Sequence, residues 1–401
     1  MEAIASRYQV LLIDPTGNGR SEEAEGALRQ RLEELGVSVE EAVVFFRDQE
    51  GLKRHQGAPT AGVYFGDNPP APTWVQHVLD DLVGSGVPIL PVVEDIANFS
   101  QQIPEILHQF NGCALDHGSG NLEAVTTIVL ENLDLLRKQR HVFISYRRKD
   151  SRGIAIQLYE ALDAAGFVVF LDTHSIRGSE PFQEELWHRL SNADIVVVLD
   201  SPAFLDSRWT EQELTETNAK SIGIVQVVWP GVETQSRAAL AKFEQLTHTD
   251  FQHEVCNCNE FDQLTTPAIQ RIVKTTEAYR ARSVGARHQR LVGEFCSEVR
   301  TAGAQALMHW RRYIVVDGLA RGRVVAVPAI GVPDANVYHD AETLLGNFDE
   351  LAGSEILVLY DHVNIRERHL DHLSWLENSP HIKGLWLNQT KTRLLGPNDG
   401  K

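Results

Sequence analysis

The sequence has 401 residues and a formal net charge of −18, with 43% hydrophobic and 23% charged residues. This length accommodates two or three domains of roughly 150 residues each, and the composition is typical of a globular protein. The acidic balance disfavours binding to a phosphate backbone, so we do not expect direct nucleic-acid binding. The stretch 280–290 contains several arginines and is the strongest local exception. We expect it to form the exposed side of a linker helix.

Two further exclusions come from the apolar runs and the cysteines. No run of about 18 apolar residues occurs, which predicts no membrane span, and the first residues do not resemble a secretory signal. Of the four cysteines, only Cys256 and Cys258 form a close pair, and one intervening residue is poor spacing for a zinc site. We therefore predict reduced thiols, a cytoplasmic location and no bound metal.

Short apolar runs alternate with helical patterns in the first segment, which predicts a parallel sheet covered on both faces. Asp14 and Asp67 end two of these strands, as in a phosphoacceptor receiver domain, but the adjacent acidic pair and the lysine of that family are missing. The loop 16–19 contains two glycines but lacks the rest of a phosphate-binding P-loop. The predicted strands are 10–13, 42–46, 61–65 and 87–93, and the predicted helices are 21–35, 73–83 and 122–136.

The second and third segments repeat the alternating layout. In the third segment, His362, His369 and His372 cluster in the sequence, and we interpret them as a solvated helix surface and not as a metal site. The second segment has predicted strands at 141–146, 167–171, 194–199 and 222–228, with helices after the first three of them. A long helix at 266–303 is followed by predicted strands at 313–316, 324–327, 356–360 and 384–387, with helices at 341–351 and 366–377.

Four motifs in the second segment occur in the order and spacing of one family. The run HVFISYRRKD at 141–150 resembles the first strand and loop of TIR domains. The run FVVFLD at 167–172 with SIRGSEP at 175–181 is similar to their second strand and BB loop, and 193–202 is similar to the third strand. The run SRWTEQEL at 207–214 resembles the Trp-x-x-x-Glu helix of TIR NAD hydrolases, with Thr210 where the family usually has cysteine. Residues 139–285 thus resemble a prokaryotic TIR immune effector.

This resemblance implies a flavodoxin-like parallel sheet whose pocket lies at the carboxyl ends of the strands. It implies that Glu213 is the catalytic residue. It also implies an assembly role for Ile176, Arg177 and Gly178 of the BB loop. The substrate-binding residues implied by the same motifs are Ser145, Tyr146, Arg147, Arg148, Asp172 and Trp209.

The chemistry of NAD makes a single carboxylate sufficient. Nicotinamide is attached through a positively charged ring nitrogen and leaves as a neutral molecule, so no general acid is needed. Ordinary glycosidases use a second carboxylate for that protonation. Glu213 would hold the ribose and stabilise the developing positive charge. Arg147 or Arg148 would pair with the pyrophosphate, and Trp209 or Tyr146 would stack on a ring.

Each of these residues also has a purely structural interpretation. Residues 210–213 fit a helix capping box, in which Glu213 bonds back to the Thr210 amide. Either arginine of the 147–148 pair can be a solvated loop residue. Asp172 can cap the loop after its strand, and Trp209 can be a core residue.

The sequence therefore predicts an α/β protein in which a flavodoxin-like TIR domain is flanked by two further α/β units. The leading function is cleavage of NAD to nicotinamide and ADP-ribose, or a cyclic form, by an anti-phage effector that TIR self-association activates, with NAD as substrate and no cofactor. The alternatives are a non-enzymatic TIR adaptor and a cyclic ADP-ribose synthase. The predicted domains are a divergent TIR-like regulatory domain at 1–137, the catalytic domain at 138–285 and a C-terminal domain at 286–401. The last would sense a partner protein or nucleotide signal, or drive assembly.

Overall fold

The computed structural model describes most of the chain and shows two compact units, residues 1–139 and 140–401. The described residues contain three five-stranded sheets, one in the first unit and two in the second. None of the described helices is both long and apolar enough to cross a membrane. The described residues are 8–55, 58–66, 72–115, 122–171, 182–202, 204, 217, 220–233, 241–309, 311–319, 322–346, 351, 353–377 and 382–395.

The first sheet is parallel throughout and has the strand order β2-β1-β3-β4-β5, which is the flavodoxin-like order. Strands β1 and β4 are buried along their whole length, as expected for a sheet covered on both faces. Single helical turns lie at Val39–Ala42 and Phe99–Gln102. The elements are β1 Tyr8–Ile13, α1 Arg20–Glu34, β2 Val43–Arg47, β3 Thr60–Phe65, α2 Thr73–Gly84, β4 Ile89–Val93, β5 Cys113–Ala114 and α3 Leu122–Asn132.

The second sheet is also parallel, with the order β10-β9-β8-β6-β7. Taken from the opposite edge, this is the same flavodoxin-like order as in the first sheet, so the predicted fold is confirmed. Strands β8 and β9 are fully buried at the centre. The elements are β6 Arg140–Ser145, α4 Arg148–Ala164, β7 Phe167–Leu171, α5 Phe182–Asn192, β8 Ile195–Asp200, β9 Gly223–Val228 and β10 Ala241–Gln245.

Helix α6, Thr266–Thr301, connects the second and third sheets over 36 residues. It begins with a proline in its first turn and ends before Gly303, whose φ of 79° closes the helix in the left-handed conformation. Its first half contributes Ala268 and Ile272 to the core of the second sheet. Its second half contributes Phe295 and Val299 to the core of the third sheet. One helix therefore takes part in two hydrophobic cores.

The third sheet is mixed. Its first three strands are antiparallel and the remaining pairs are parallel, in the order β11-β12-β13-β14-β15. Strands β10 and β11 were not expected from the sequence, because both are edge strands with polar or exposed residues that hide the alternating pattern. The elements are β11 Gln305–Met308, β12 Ile314–Asp317, β13 Val324–Pro328, α7 Ala335–Gly346, β14 Glu355–Tyr360, α8 Glu367–Leu376, β15 Ile382–Trp386 and α9 Thr390–Leu395.

The expectation that 280–290 forms an exposed helix side is wrong for two arginines. Arg280 is completely buried, and its Nε donates to Oδ2 of the equally buried Asp194 at 2.8 Å. Arg287 is buried as well and donates to the backbone oxygens of Ala193 and Ser191 at 2.6 and 2.9 Å. Arginine on a helix is usually exposed, so the sequence gives no sign of these long-range partners. The two guanidinium groups hold α6 against the start of β8.

Residues next to the third sheet also contact the amino ends of the second sheet's strands. The Lys220 ammonium donates to the Val363 oxygen at 2.8 Å and lies 3.5 Å from the Asp361 carboxylate. The backbone N–H of Val332 donates to the Asn192 side chain at 3.0 Å. Asn192 and Lys220 precede β8 and β9, so these contacts lie at the amino ends of the strands. The carboxyl ends, where ligands bind in such sheets, are at the opposite edge.

Candidate active site

The carboxyl ends of β6 and β8 place polar residues at one edge of the second sheet. Because neighbouring parallel strands end at the same edge, Ser145 at the end of β6 and Asp200 at the end of β8 belong to one region. Ser145 is completely buried, and its hydroxyl has no hydrogen-bond partner among the described residues. Tyr146 is also buried. A buried hydroxyl of this kind is available to a ligand or to a residue outside the described part.

A hydrogen-bonded ion pair connects the two strand ends. Nη1 of Arg147 donates to both carboxylate oxygens of Asp150 at 3.0 Å. The Ser201 hydroxyl, directly after β8, donates to Oδ2 of Asp150 at 2.9 Å. Asp150 is buried, whereas a quarter of the Arg147 side chain is exposed. Asp150 therefore fixes the direction of Arg147 and leaves the guanidinium's other N–H groups free of described protein partners.

The first turn of α4 has a distinct shape that supports this pair. Ser151 has φ −147° and ψ 18°, which interrupts the helical backbone directly after Asp150. The backbone N–H groups of Asp150 and Ser151 and the Ser151 hydroxyl all donate to the Arg147 oxygen, at 3.0–3.1 Å. Arg147 and Asp150 thus lie in one hydrogen-bonded turn, which the break at Ser151 separates from the rest of α4. Arg148, the next residue of the predicted set, is exposed on that turn.

The ends of β8 and β9 are joined by a second buried link. Nε2 of Gln226 on β9 donates to Oδ2 of Asp200 at 2.6 Å, and both side chains are almost completely buried. The backbone N–H of Trp229 donates to the Asp200 oxygen at 3.2 Å. The indole of Trp229 is buried and packs edge-on against Phe251, with ring centroids 6.1 Å apart. These contacts connect β8 and β9 near their carboxyl ends.

The structure brings Ser145, Tyr146 and Arg147 together at this edge and leaves Arg148 exposed nearby. Glu213 belongs to the segment 205–216, which lies outside the described residues. The flanking residues Phe204 and Thr217 are both buried. The backbone N–H of Ile222 donates to the Thr217 oxygen at 3.0 Å, shortly before β9. The predicted residues that lie outside the described part are Asp172, Ile176, Arg177, Gly178, Trp209 and Glu213.

Two residues of the site were not assigned a role from the sequence. Asp150 and Ser201 are 51 positions apart, and only folding brings their side chains together. The available signals were weak: Asp150 closes the polar run after β6, and Ser201 directly follows β8. Such positions at the carboxyl ends of parallel strands are the ones to inspect first in this fold.

The histidine cluster of the third segment has ordinary structural partners. His362 stacks on Trp386 with ring centroids 4.5 Å apart, and Nε2 of His369 lies 2.8 Å from the Pro333 oxygen. Within the described ranges, no group of three or more His, Cys, Asp or Glu residues is arranged to hold a metal ion.

Two solved structures show a weak overall likeness to this chain. The C-terminal domain of glucosamine-fructose-6-phosphate aminotransferase from Francisella tularensis is 9% identical, with 71% of this chain and 84% of that chain covered and a TM-score of 0.19. A fatty acid ABC transporter substrate-binding protein from Thermomonospora curvata is 11% identical, with 80% and 91% covered and a TM-score of 0.20. Scores this low do not indicate a shared fold.

Two sequence comparisons give matches to part of the chain. A 2′ cyclic ADP-D-ribose synthase from Bacteroides thetaiotaomicron is 31% identical over 117 residues, which are 29% of this chain and 40% of that protein. The chain therefore spans less than half the length of this curated relative. The family model that describes a TIR domain matches residues 142–265. These residues contain most of β6, all of β7 to β10 and the Arg147–Asp150–Ser201 link. Residues 142–265 of this chain are a TIR domain.

Proposed function

We propose that the TIR domain cleaves the bond between nicotinamide and ribose in NAD, with Glu213 as the catalytic carboxylate. The observation that carries this proposal is the similarity, over 117 residues, to a protein named for making a cyclic ADP-ribose. NAD consists of ADP-ribose joined to nicotinamide. Making a cyclic ADP-ribose from it requires that this bond break.

The proposed first step needs one negative charge at the sugar and no proton donor. The electrons of the breaking C–N bond go to the nicotinamide nitrogen, which becomes neutral, while positive charge develops on the ribose. The Glu213 carboxylate stabilises that charge. The sugar carbon is then attacked either by water, which gives ADP-ribose, or by a hydroxyl of the same molecule, which gives a cyclic product. Both routes release one proton.

The described residues support binding of the rest of the substrate at this edge. Arg147 is held by Asp150 and retains N–H donors that suit a pyrophosphate. The Ser145 hydroxyl is buried without a described partner and can bond to the ligand. For Asp172 and Trp209 the proposal rests on their sequence motifs: Asp172 would contact the substrate and Trp209 would stack on a ring.

The name of the relative favours a cyclic product over ADP-ribose. Cyclisation succeeds when the site keeps water away from the sugar carbon while an internal hydroxyl attacks. Incubating the full chain with NAD, followed by chromatography and mass measurement, tests both parts of the proposal. Nicotinamide should appear together with a product that is lighter than ADP-ribose by one water. A folded protein that releases no nicotinamide at any concentration would support the adaptor alternative instead.

We also propose that activity depends on assembly of TIR domains through Ile176, Arg177 and Gly178. Specific activity should then rise with protein concentration. In this proposal the regions 1–137 and 286–401 regulate or assemble the domain, because an unrestrained NAD-cleaving enzyme would harm its host. A role as a cytoplasmic anti-phage effector follows from the resemblance to prokaryotic TIR immune effectors.

A further inference from the structure

The loop between β10 and α6 holds two cysteines side by side. The Sγ atoms of Cys256 and Cys258 are 3.3 Å apart. Cys258 is exposed, and Cys256 is partly buried. A disulfide bond needs about 2.0 Å between the sulfurs, so they have to approach each other by only about 1.3 Å to reach bonding distance.

The loop is fixed by contacts that do not involve the sulfurs. The backbone N–H and the side-chain amide of Asn257 donate to the two carboxylate oxygens of Asp262, at 2.9 and 3.2 Å. Asp262 is buried. Cys258 has a φ of 51°, in the left-handed region that lets the chain turn sharply between the thiols. The sulfurs are therefore held close together before any bond exists, and closing a bond orders little additional chain.

The loop also packs tightly on α4. The backbone N–H of Gly153 donates to the Glu260 oxygen at 2.9 Å. A Cβ atom at Gly153 would lie 2.5 Å from the backbone oxygen of Asp262, which leaves room only for glycine there. The loop that carries the thiols is therefore attached to α4 by specific contacts.

We propose that Cys256 and Cys258 are a redox-active dithiol that closes to an intramolecular disulfide by exchange with a small disulfide such as glutathione disulfide. Cys258, as its thiolate, attacks one sulfur of glutathione disulfide, forms a mixed disulfide and releases one glutathione thiolate. Cys256 then loses its proton, attacks the Cys258 sulfur and releases the second glutathione. Two protein thiols are oxidised, and one glutathione disulfide is reduced to two glutathione molecules.

The surroundings of the two thiols fit this order of steps. Burial and the hydrogen bond to the Cys258 sulfur raise the pKa of the Cys256 thiol to about 12. Cys256 therefore keeps its proton at first, and the exposed Cys258 meets the oxidant. Once Cys258 is in the mixed disulfide, its sulfur no longer adds negative charge beside Cys256, and the second step becomes easier. This inference does not depend on NAD cleavage.

Mass analysis of the full chain tests the proposal directly. The protein is equilibrated with mixtures of reduced and oxidised glutathione, quenched in acid, alkylated and digested with trypsin. The fragment 243–271 contains Cys256 and Cys258 and no other cysteine. In wild type it should become about 2 Da lighter and resist alkylation, and excess dithiothreitol should reverse this. The Cys256→Ser variant should instead trap one glutathione on Cys258.

Cys296 provides the internal control, because it is a partly buried cysteine in the separate fragment 291–300. It should remain alkylatable in the mixtures that oxidise the pair. The proposal is overturned if both thiols of wild type stay alkylatable in a mixture that modifies Cys258 in the Cys256→Ser variant. It is also overturned if wild type accumulates two glutathione adducts on fragment 243–271. The second result is obtained on wild type alone, so it does not depend on the folding of a variant.

Discussion

The first and second sheets have the same strand order but different side chains at their carboxyl ends. In the first sheet, Asp14 follows β1 and is buried, and its backbone N–H donates to the Asp48 carboxylate at 2.9 Å. Burial raises the pKa of Asp48, and the negative charge of Asp14 raises it further. In the second sheet the corresponding edge carries Ser145 and the Arg147–Asp150 pair.

This difference shows that the fold determines where a ligand can bind, while the side chains at that edge determine which ligand and which reaction fit. At the first edge the Arg20 guanidinium lies 3.7 Å from the Asp14 carboxylate, and the Asp48 carboxylate adds further negative charge. At the second edge the Arg147 guanidinium keeps N–H donors that suit a pyrophosphate. The first sheet's sequence also contains no Trp-x-x-x-Glu motif. We therefore propose NAD chemistry for the second sheet alone, and the following changes test that proposal and the contacts that support the second sheet.

The largest expected effect comes from the buried ion pair of Arg280 and Asp194, which joins α6 to the start of β8. Arg280→Met leaves the Asp194 carboxylate buried without its guanidinium partner. Breaking such a pair typically costs about 3–5 kcal/mol, so the free energy of unfolding of the unit 140–401 should fall by that amount. Denaturant titration measures it. Arg282→Met, two positions away and exposed, is the matched control and should change stability by at most about 0.5 kcal/mol. Equal effects of the two changes would refute the structural role of Arg280.

A smaller effect is expected at the edge of the site. Asp150→Asn removes the charge that holds Arg147 and weakens the link to Ser201. The free energy of unfolding should fall by about 1.5–3 kcal/mol, the range for hydrogen bonds to charged groups. The KM for NAD should rise, since Arg147 is no longer fixed. Steady-state kinetics measure this, with Asp163→Asn on the exposed side of α4 as the control. An unchanged KM in the folded Asp150→Asn variant would argue against Arg147 as a substrate ligand.

The smallest effect is a pH dependence at the amino ends of the second sheet's strands. Burial, together with the positive charges of Arg366, His369 and Arg189, lowers the pKa of His188 to about 4 against the opposing effect of Glu185. In the unfolded chain, His188 binds a proton with the ordinary histidine pKa of about 6.5. In the folded protein it stays neutral until the pH approaches 4. Stability should therefore be lost as the pH falls from about 6.5 to about 4.

The His188→Gln variant should show a flatter loss of stability over this range than wild type. Urea titrations at several pH values measure the difference, and the exposed His339 provides the control substitution. Parallel pH profiles for wild type and His188→Gln would show that His188 is not protonated on unfolding in the way described.

The sequence predicts the central strands and the site motifs because both have local signatures. Strand β8 is a continuous apolar run, and the four TIR motifs are short and ordered. Contacts between distant residues have no such signature. Arg280 and Asp194 are 86 positions apart, and nothing local in the sequence indicates their ion pair. The edge strand β10 was missed because its charged residues match a loop as well as a strand.

The central claim is that NAD is cleaved at the second sheet through Glu213. The most direct test is nicotinamide release by three full-length proteins: wild type, Glu213→Gln and, as the matched change in the first sheet, Asp14→Asn. Glu213→Gln keeps the shape of the side chain and removes its charge, so turnover should fall at least about a hundredfold. Its stability should change by only about 1 kcal/mol, while Asp14→Asn should retain activity close to wild type. Near-normal turnover by folded Glu213→Gln, or an equal loss in Asp14→Asn, would contradict the assignment.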